Sequence, residues 1–205
     1  MEAILDLYAA AYDPRFPVIC FDEMPIQLIA ETRTAQPCRP GLPQRIDYEY
    51  QRKGTANLFA FFQPLAGWRQ LQVTQRRTKL DFAHCMKELV DRFFPDADKI
   101  RVVLDNLNTH TPASFYEAFP PAEARRILSK LEFHHTPKHA SWLNMVEIEF
   151  SVLFGQCLDR RIPDVKTLTV ELDAWQGERN RLHATVNWQF TNQKAREKMH
   201  RLYPS

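Results

Sequence analysis

No two cysteines in this 205-residue chain are spaced as CxxC, and there are four cysteines in all. Cys20, Cys85 and Cys157 fall in apolar patterns and read as ordinary buried thiols. No disulfide framework is implied, and a reducing cytosol is the easier environment for them. The first twenty residues lack a basic region followed by an apolar core, and no apolar run reaches membrane-spanning length, so nothing points to export or insertion. A marked excess of charge of either sign is lacking too. A formal net charge of +2 makes only a weak bulk argument for nucleic-acid binding. Internal repeats and low-complexity tracts are absent. What is present is a 44% hydrophobic composition, enough for a sizeable core, in a length that suits one compact domain over 1–205.

Two short β-rich runs each end in an aspartate. VICF leads into Asp22 and IRVVL leads into Asp105. Both runs read as strands buried on both faces, with the acids at their C-terminal ends. In open α/β sheets this is the edge where ligand sites form. One such Asp alone is equally a cap or turn residue. Two together point further, because a desolvated carboxylate must be paired, protonated or bound to a cation.

A third carboxylate lies in SWLNMVEIEFSVLF. Ser141 is suited to cap a helix over 141–159, in which Leu143, Val146, Phe150, Leu153, Phe154 and Cys157 form one apolar stripe. Glu147 falls on that stripe, whereas Glu149 lies about 100° to the side at roughly 3.6 residues per turn. The expectation is an inward Glu147 and a solvated Glu149. The competing reading of Glu147 is a stripe-edge side chain snorkelling to solvent.

Other polar groups carry weaker signals. Asn106 and His110, in the DNLNTH run, are accessory candidates; His110 is placed to orient a water or a phosphate, and a polar loop role fits equally. Arg52 with Lys53, the TQRRTK cluster, and Arg160 with Arg161 concentrate positive charge. Arg76, Arg77 and Lys79 are candidate DNA contacts at the phosphate level, against a reading as solvated loop charges. His134, His135 and His139 suggest zinc, but Pro137 interrupts a helix there and no neighbouring ligand completes a set.

The expected order of elements is a first strand, a Pro-rich bend at 36–43, strands at 55–62 and Trp68–Thr74 joined by LAG, and a helix at 79–94. The second Asp strand follows, then helices at 112–119 and Pro121–Lys130, a short strand at 131–134, the helix carrying Glu147, and a long final helix at Val165–Arg181. This is an α/β chain with a mixed central sheet and helices on both faces.

The segments VICFDEMPIQL, VVLDNLNTH and HHTPKHASWLNMVEIEFSVL resemble the catalytic blocks of DDE transposases, in the bacterial insertion-sequence branch of the mariner-like superfamily, the insertion sequence 630 family. The resemblance runs from the LDLYAAAYDPRFP lead-in to VNWQFTNQKAREKM. The interval from Asp105 to Glu147 is longer than the tight mariner spacing, an elongation familiar in the bacterial branch. The resemblance implies an RNase H-like domain in which Asp22, Asp105 and Glu147 are catalytic and bind two Mg²⁺ ions, with Mn²⁺ as a substitute. It implies DNA as partner, cleavage of transposon ends and strand transfer into a target, a homodimer in the active complex, and a bacterial cytoplasmic, nucleoid-associated setting.

Transposases of this kind carry N-terminal helix-turn-helix modules, which are expected to be missing from a chain that starts a short lead-in before its first catalytic strand. A separate helix-turn-helix half or a full-length transposase is then a possible partner. Two alternatives stand beside the enzyme: a catalytically silent remnant that binds DNA or regulates, and another RNase H-like nuclease.

Overall fold

The computed structural model describes residues 1–33, 37–43 and 47–202. Five strands form one mixed sheet in the order β3-β2-β1-β4-β5. They are β1 (Val18–Glu31), β2 (Tyr50–Gln63), β3 (Trp68–Thr74), β4 (Ile100–Leu104) and β5 (Leu131–His135). The first three make an antiparallel meander, and β4 and β5 lie parallel to β1. The parallel strands need crossovers, and helices supply them. These are α2 (Lys79–Glu88) before β4, and α3 (Ala113–Ala118) with α4 (Pro121–Lys130) before β5. The remaining helices are α1 (Glu2–Ala9), α5 (Val146–Leu153), α6 (Val165–Arg181) and α7 (Asn192–Lys198).

Local chemistry explains the boundaries. Thr78 caps α2 through a reciprocal capping box with Asp81. Pro121 opens α4 at its first turn, where a missing N–H costs nothing. Asp164 caps α6 by accepting the Thr167 N–H. The β2–β3 turn closes on Gly67 at φ 68°, and a Cβ there would sit 2.4 Å from the His183 backbone, so no other residue fits.

Strand alternation divides the core into two layers. Val18, Cys20, Leu58 and Val103 face a cluster with α1, α5, α6 and α7. Ile19, Phe21, Phe59, Val102 and Leu104 face a second cluster with α2, α3 and α4. Successive residues of one strand therefore serve different layers, which decides where the acidic residues go.

Several expectations need correction. β1 does not stop at Asp22 but runs nine residues further in register with β2, broken only by a shift between Gln27 and Ile29. What ends near Asp22 is the pairing with β4, whose last partners are Cys20 and Val103. Asp22 therefore sits where two parallel strands part, and only Asp105 follows a true strand end. The expected helix over 141–159 is three pieces: a 3₁₀ turn at Ser141–Leu143, α5, and a π turn at Phe154–Leu158. Ser141 caps nothing; Asn144 leaves the helix with extended backbone to reach the sheet. The helix expected over 79–94 likewise ends at Glu88 and continues as a π turn. Pro112 precedes α3 rather than opening it, and α7 follows the helix expected to be last. The Pro-rich bend at 36–43 lies partly outside the described residues.

Candidate metal centre

Asp22 projects into the α5 layer because Cys20 does, two residues back on the same strand. Its Oδ1 accepts the Glu23 backbone N–H at 2.8 Å, and Asn144 Nδ2 lies 3.5 Å from its Oδ2. Asn144 also donates to the Phe21 carbonyl at 2.9 Å. That bond occupies a strand carbonyl beyond the last β1–β4 pair and docks the segment before α5 against it.

Asp105 leaves β4 into a short self-tied loop. Its Oδ1 accepts the Leu107 N–H at 3.0 Å and lies 2.7 Å from His110 Nδ1. Among the described residues the hydrogen bonds to this carboxylate fall on Oδ1 and none on Oδ2. Glu147 stands on the first turn of α5, where the helix dipole favours a negative charge. It is exposed, not buried as the stripe suggested.

The neighbouring acids act on Asp22. Burial pushes the Asp22 carboxyl up to about 7, the Glu23 N–H opposes this, and the negative charges of Asp105, Glu23 and Glu147 add to it. A carboxyl that resists ionisation beside other carboxylates lacks a countercharge. Among the described residues no three His, Cys, Asp or Glu side chains form a ready cage for an ion. Mg²⁺ does not require one, since it takes one or two carboxylates and completes its shell with water and substrate phosphate. An all-oxygen donor set around an under-neutralised Asp22 fits such a hard divalent ion.

The accessory candidates separate. His110 is buried, so it does not reach out to water or phosphate as expected; it packs edge-on to Phe21 and tilted over Phe82. Its Nε2 lies 3.1 Å from Glu23 Oε2, an ion-pair distance at an angle that makes no hydrogen bond. Burial alone would lower the His110 pKa, but the Glu23 and Asp105 carboxylates outweigh it and the net direction is up. Asn106 is exposed and donates to the Thr136 carbonyl at 2.5 Å, tying the loop after β4 to the end of β5. Arg76 and Arg77 are exposed in the β3–α2 turn, and Lys79 pairs with Glu117 at 2.8 Å. Thr74 aligns with Asn57, and Asn57 with Pro25, so this turn leaves the same end of the sheet as Asp22, two strands away. His134 pairs with Glu132, and His135 Nδ1 lies 3.0 Å from the Asp105 carbonyl oxygen.

Glu149 is the second reversal. It is buried, not solvated, between two arginines: Arg69 Nε donates at 3.0 Å and Arg179 Nη2 at 2.9 Å. Arg69 is itself 1% exposed and donates to Asn180 Oδ1 and the Ala184 carbonyl. Burial lowers the Arg69 pKa, with the Glu149 charge opposing it. The cluster joins β3, α5 and α6. Glu23 and Glu149 were not singled out from sequence as site or structural residues. Glu23 carried a signal, since an acid directly after Asp22 faces the opposite layer if the strand continues. Glu149 carried none, because its partner Arg69 is 80 residues away.

The DDE superfamily endonuclease family matches residues 17–169. A search of curated proteins finds no match. Among solved structures, the Mos1 transposase paired-end complex with the left transposon end is 15% identical with a TM-score of 0.59, covering 89% of this chain and 55% of that one. The Mos1 mariner paired-end complex with Mn gives 15% identity and a TM-score of 0.57 over the same shares. The Mos1 strand transfer complex gives 14% and 0.57, covering 86% of this chain and 51% of that one. At these identities the likeness is one of fold, the mixed RNase H-like sheet, and the chain spans about half the length of the chains it matches. With the family extending from the start of β1 into α6, across all three acidic positions, the chain belongs to the DDE superfamily endonucleases.

Proposed function

We propose that this chain is the catalytic domain of a DDE transposase of the bacterial insertion-sequence branch of the mariner-like superfamily, cutting DNA at transposon ends and joining them to a target. The observation that carries this reading is a buried Asp22 carboxyl at the point where β1 and β4 part, close enough to feel the charges of Asp105 and Glu147, within the residues that match the DDE endonuclease family. Asp22, Asp105 and Glu147 would hold two Mg²⁺ ions, or Mn²⁺ in their place. Bound there, the ions supply charge that activates the attacking oxygen and steadies the leaving oxygen of a phosphodiester. Asn144 fixes the approach of α5 to β1, and so the position of Glu147 relative to Asp22. Arg76 and Arg77 stand at the same end of the sheet and would hold the DNA backbone through its phosphates.

Water as nucleophile gives end cleavage, and a DNA 3′-hydroxyl gives strand transfer. A helix-turn-helix half supplies end recognition, a homodimer pairs the two ends, and the work is done on DNA in a bacterial cytoplasm. The support is the family match, the fold shared with the Mos1 complexes, and the charges of Asp105 and Glu147 acting on the buried Asp22.

The test is cleavage of a labelled end-sequence duplex by the chain supplied with a helix-turn-helix half, in Mg²⁺ or Mn²⁺. Metal-dependent nicking that disappears in Asp22→Asn, Asp105→Asn and Glu147→Gln supports the reading. No nicking in either metal, with the variants indistinguishable from the parent, points to a catalytically silent DNA-binding remnant. Equal cleavage of any duplex points to a general RNase H-like nuclease.

A further inference from the structure

We infer that His110 and Glu23 form a buried positioning pair that sets the orientation of the Asp105 carboxylate toward its cation, an inference that rests on the metal-site reading above. The geometry is specific. His110 Nδ1 lies 2.7 Å from Asp105 Oδ1, and Nε2 lies 3.1 Å from Glu23 Oε2. The side chains of His110 and Glu23 are 1% and 3% exposed, whereas Asp105 is 40% exposed. A solvent-facing carboxylate is thus held from behind by a group that solvent does not reach.

The two contacts constrain the imidazole. A ring nitrogen without a hydrogen would be repelled by an ionised carboxylate at 2.7 Å, so Nδ1 bears the hydrogen and donates it to Asp105. Glu23 stands against the other ring nitrogen at 3.1 Å and backs His110 from the far side, as outer groups steady the ligands of metal sites. Phe21 and Phe82, with ring centroids 5.4 and 4.7 Å from that of His110, fix the ring plane.

The loop cooperates. The Leu107 N–H shares Oδ1 with His110, the His110 N–H returns to the Leu107 carbonyl at 2.9 Å, and Ser114 Oγ donates to the Thr109 carbonyl at 2.7 Å. With Oδ1 taken twice, the carboxylate is restrained and Oδ2 is the oxygen left for a cation. Strand alternation makes this possible: Asp22 enters one layer and Glu23 the other, so adjacent residues of β1 serve the cation and the support of its second ligand.

Mn²⁺ binding to the whole chain, followed by electron paramagnetic resonance without DNA or turnover, tests the inference. His110→Phe fills the same aromatic slot and removes both ring nitrogens. It is expected to keep its melting temperature within a few degrees and to weaken Mn²⁺ binding about tenfold to hundredfold. An unchanged Mn²⁺ affinity in the folded variant overturns the positioning role and leaves the metal site standing. A wild-type chain that binds no Mn²⁺ overturns the metal site itself, and the inference with it. If His110→Phe does not fold, the ring ¹⁵N shifts of His110 in the wild type decide: a protonated Nδ1 supports the pair, and an unprotonated Nδ1 overturns it.

Discussion

Glu149 Oε2 accepts the Arg69 Nε–H at 3.0 Å with both side chains closed off from solvent, and this contact holds the helix that carries Glu147 against the outer strand β3. Two glutamates two residues apart on one short helix thus have opposite tasks. Glu149 is locked inside among cations, and Glu147 faces out beside Asp22. The contrast follows from the 3.6-residue period, which sends positions two apart to different sides of a helix.

This pair gives a direct comparison. Glu149→Gln leaves the buried Arg69 and the half-buried Arg179 without their countercharge and should destabilise the fold by about 3–5 kcal/mol. Glu147→Gln should leave the melting temperature nearly unchanged while abolishing metal-dependent cleavage. Denaturant melts and a nicking assay on the two variants check both halves. Equal stability of the two variants would contradict the ion cluster as described.

Metal should stabilise the folded chain by mass action. An ion that binds the native carboxylates and not the unfolded chain adds about 2.7 kcal/mol at a hundredfold excess over Kd. Thermal melting with and without millimolar Mg²⁺ or Mn²⁺ should show a clear rise in the parent and little in Asp105→Asn. The same rise in both would place the ion elsewhere.

The pH dependence without metal has a defined sign. Asp22 ionises near 3.8 when unfolded and, raised chiefly by burial, near 7 when folded, so the folded chain holds an extra proton between these values and stability falls as pH rises. His110, raised by Glu23 and Asp105 against its burial, acts in the same direction, its contribution being lost as pH climbs through its folded value above 6.5. Asp91 and Glu123, lowered chiefly by Arg126, Asp164 by Thr167 and Glu178 by Arg181 act in the opposite sense, but only below the ordinary carboxylate range. The metal-free chain should melt lower at pH 8 than at pH 5, with Asp22→Asn flattening the slope. Calorimetry at matched ionic strength reads this directly, and a melting temperature that climbs over the interval would refute it.

DNA binding by the 205-residue chain alone should be weak and sequence-blind. Exposed Arg76 and Arg77 offer phosphate contacts, which give salt-dependent affinity without base readout. Competition at fixed salt between end-sequence and scrambled duplexes should show no preference. A tenfold preference, about 1.4 kcal/mol, would reveal a base-reading surface on this chain.

Much of the architecture was legible in the sequence because local chemistry sets it. The β-branched run before Asp105 could only be a buried strand, Pro121 opened its helix where expected, and α6 kept its expected bounds at Val165–Arg181. Motif likeness singled out Asp22, Asp105 and Glu147 as one set.

Tertiary structure decided what depends on partners distant in the chain. β1 continued past Asp22 because β2 was there to pair with it, a long-range match that a short apolar run does not announce. Its continuation sent Glu23 to the opposite layer, under His110, and turned a residue suited to touching water into one that steadies Asp105. Glu149 could be buried only because Arg69 and Arg179 converge on it from β3 and α6, with Asn180 holding Arg69 in place. Periodicity reports which face of a helix is apolar, but the partners that make burial of a charge tolerable belong to the fold as a whole.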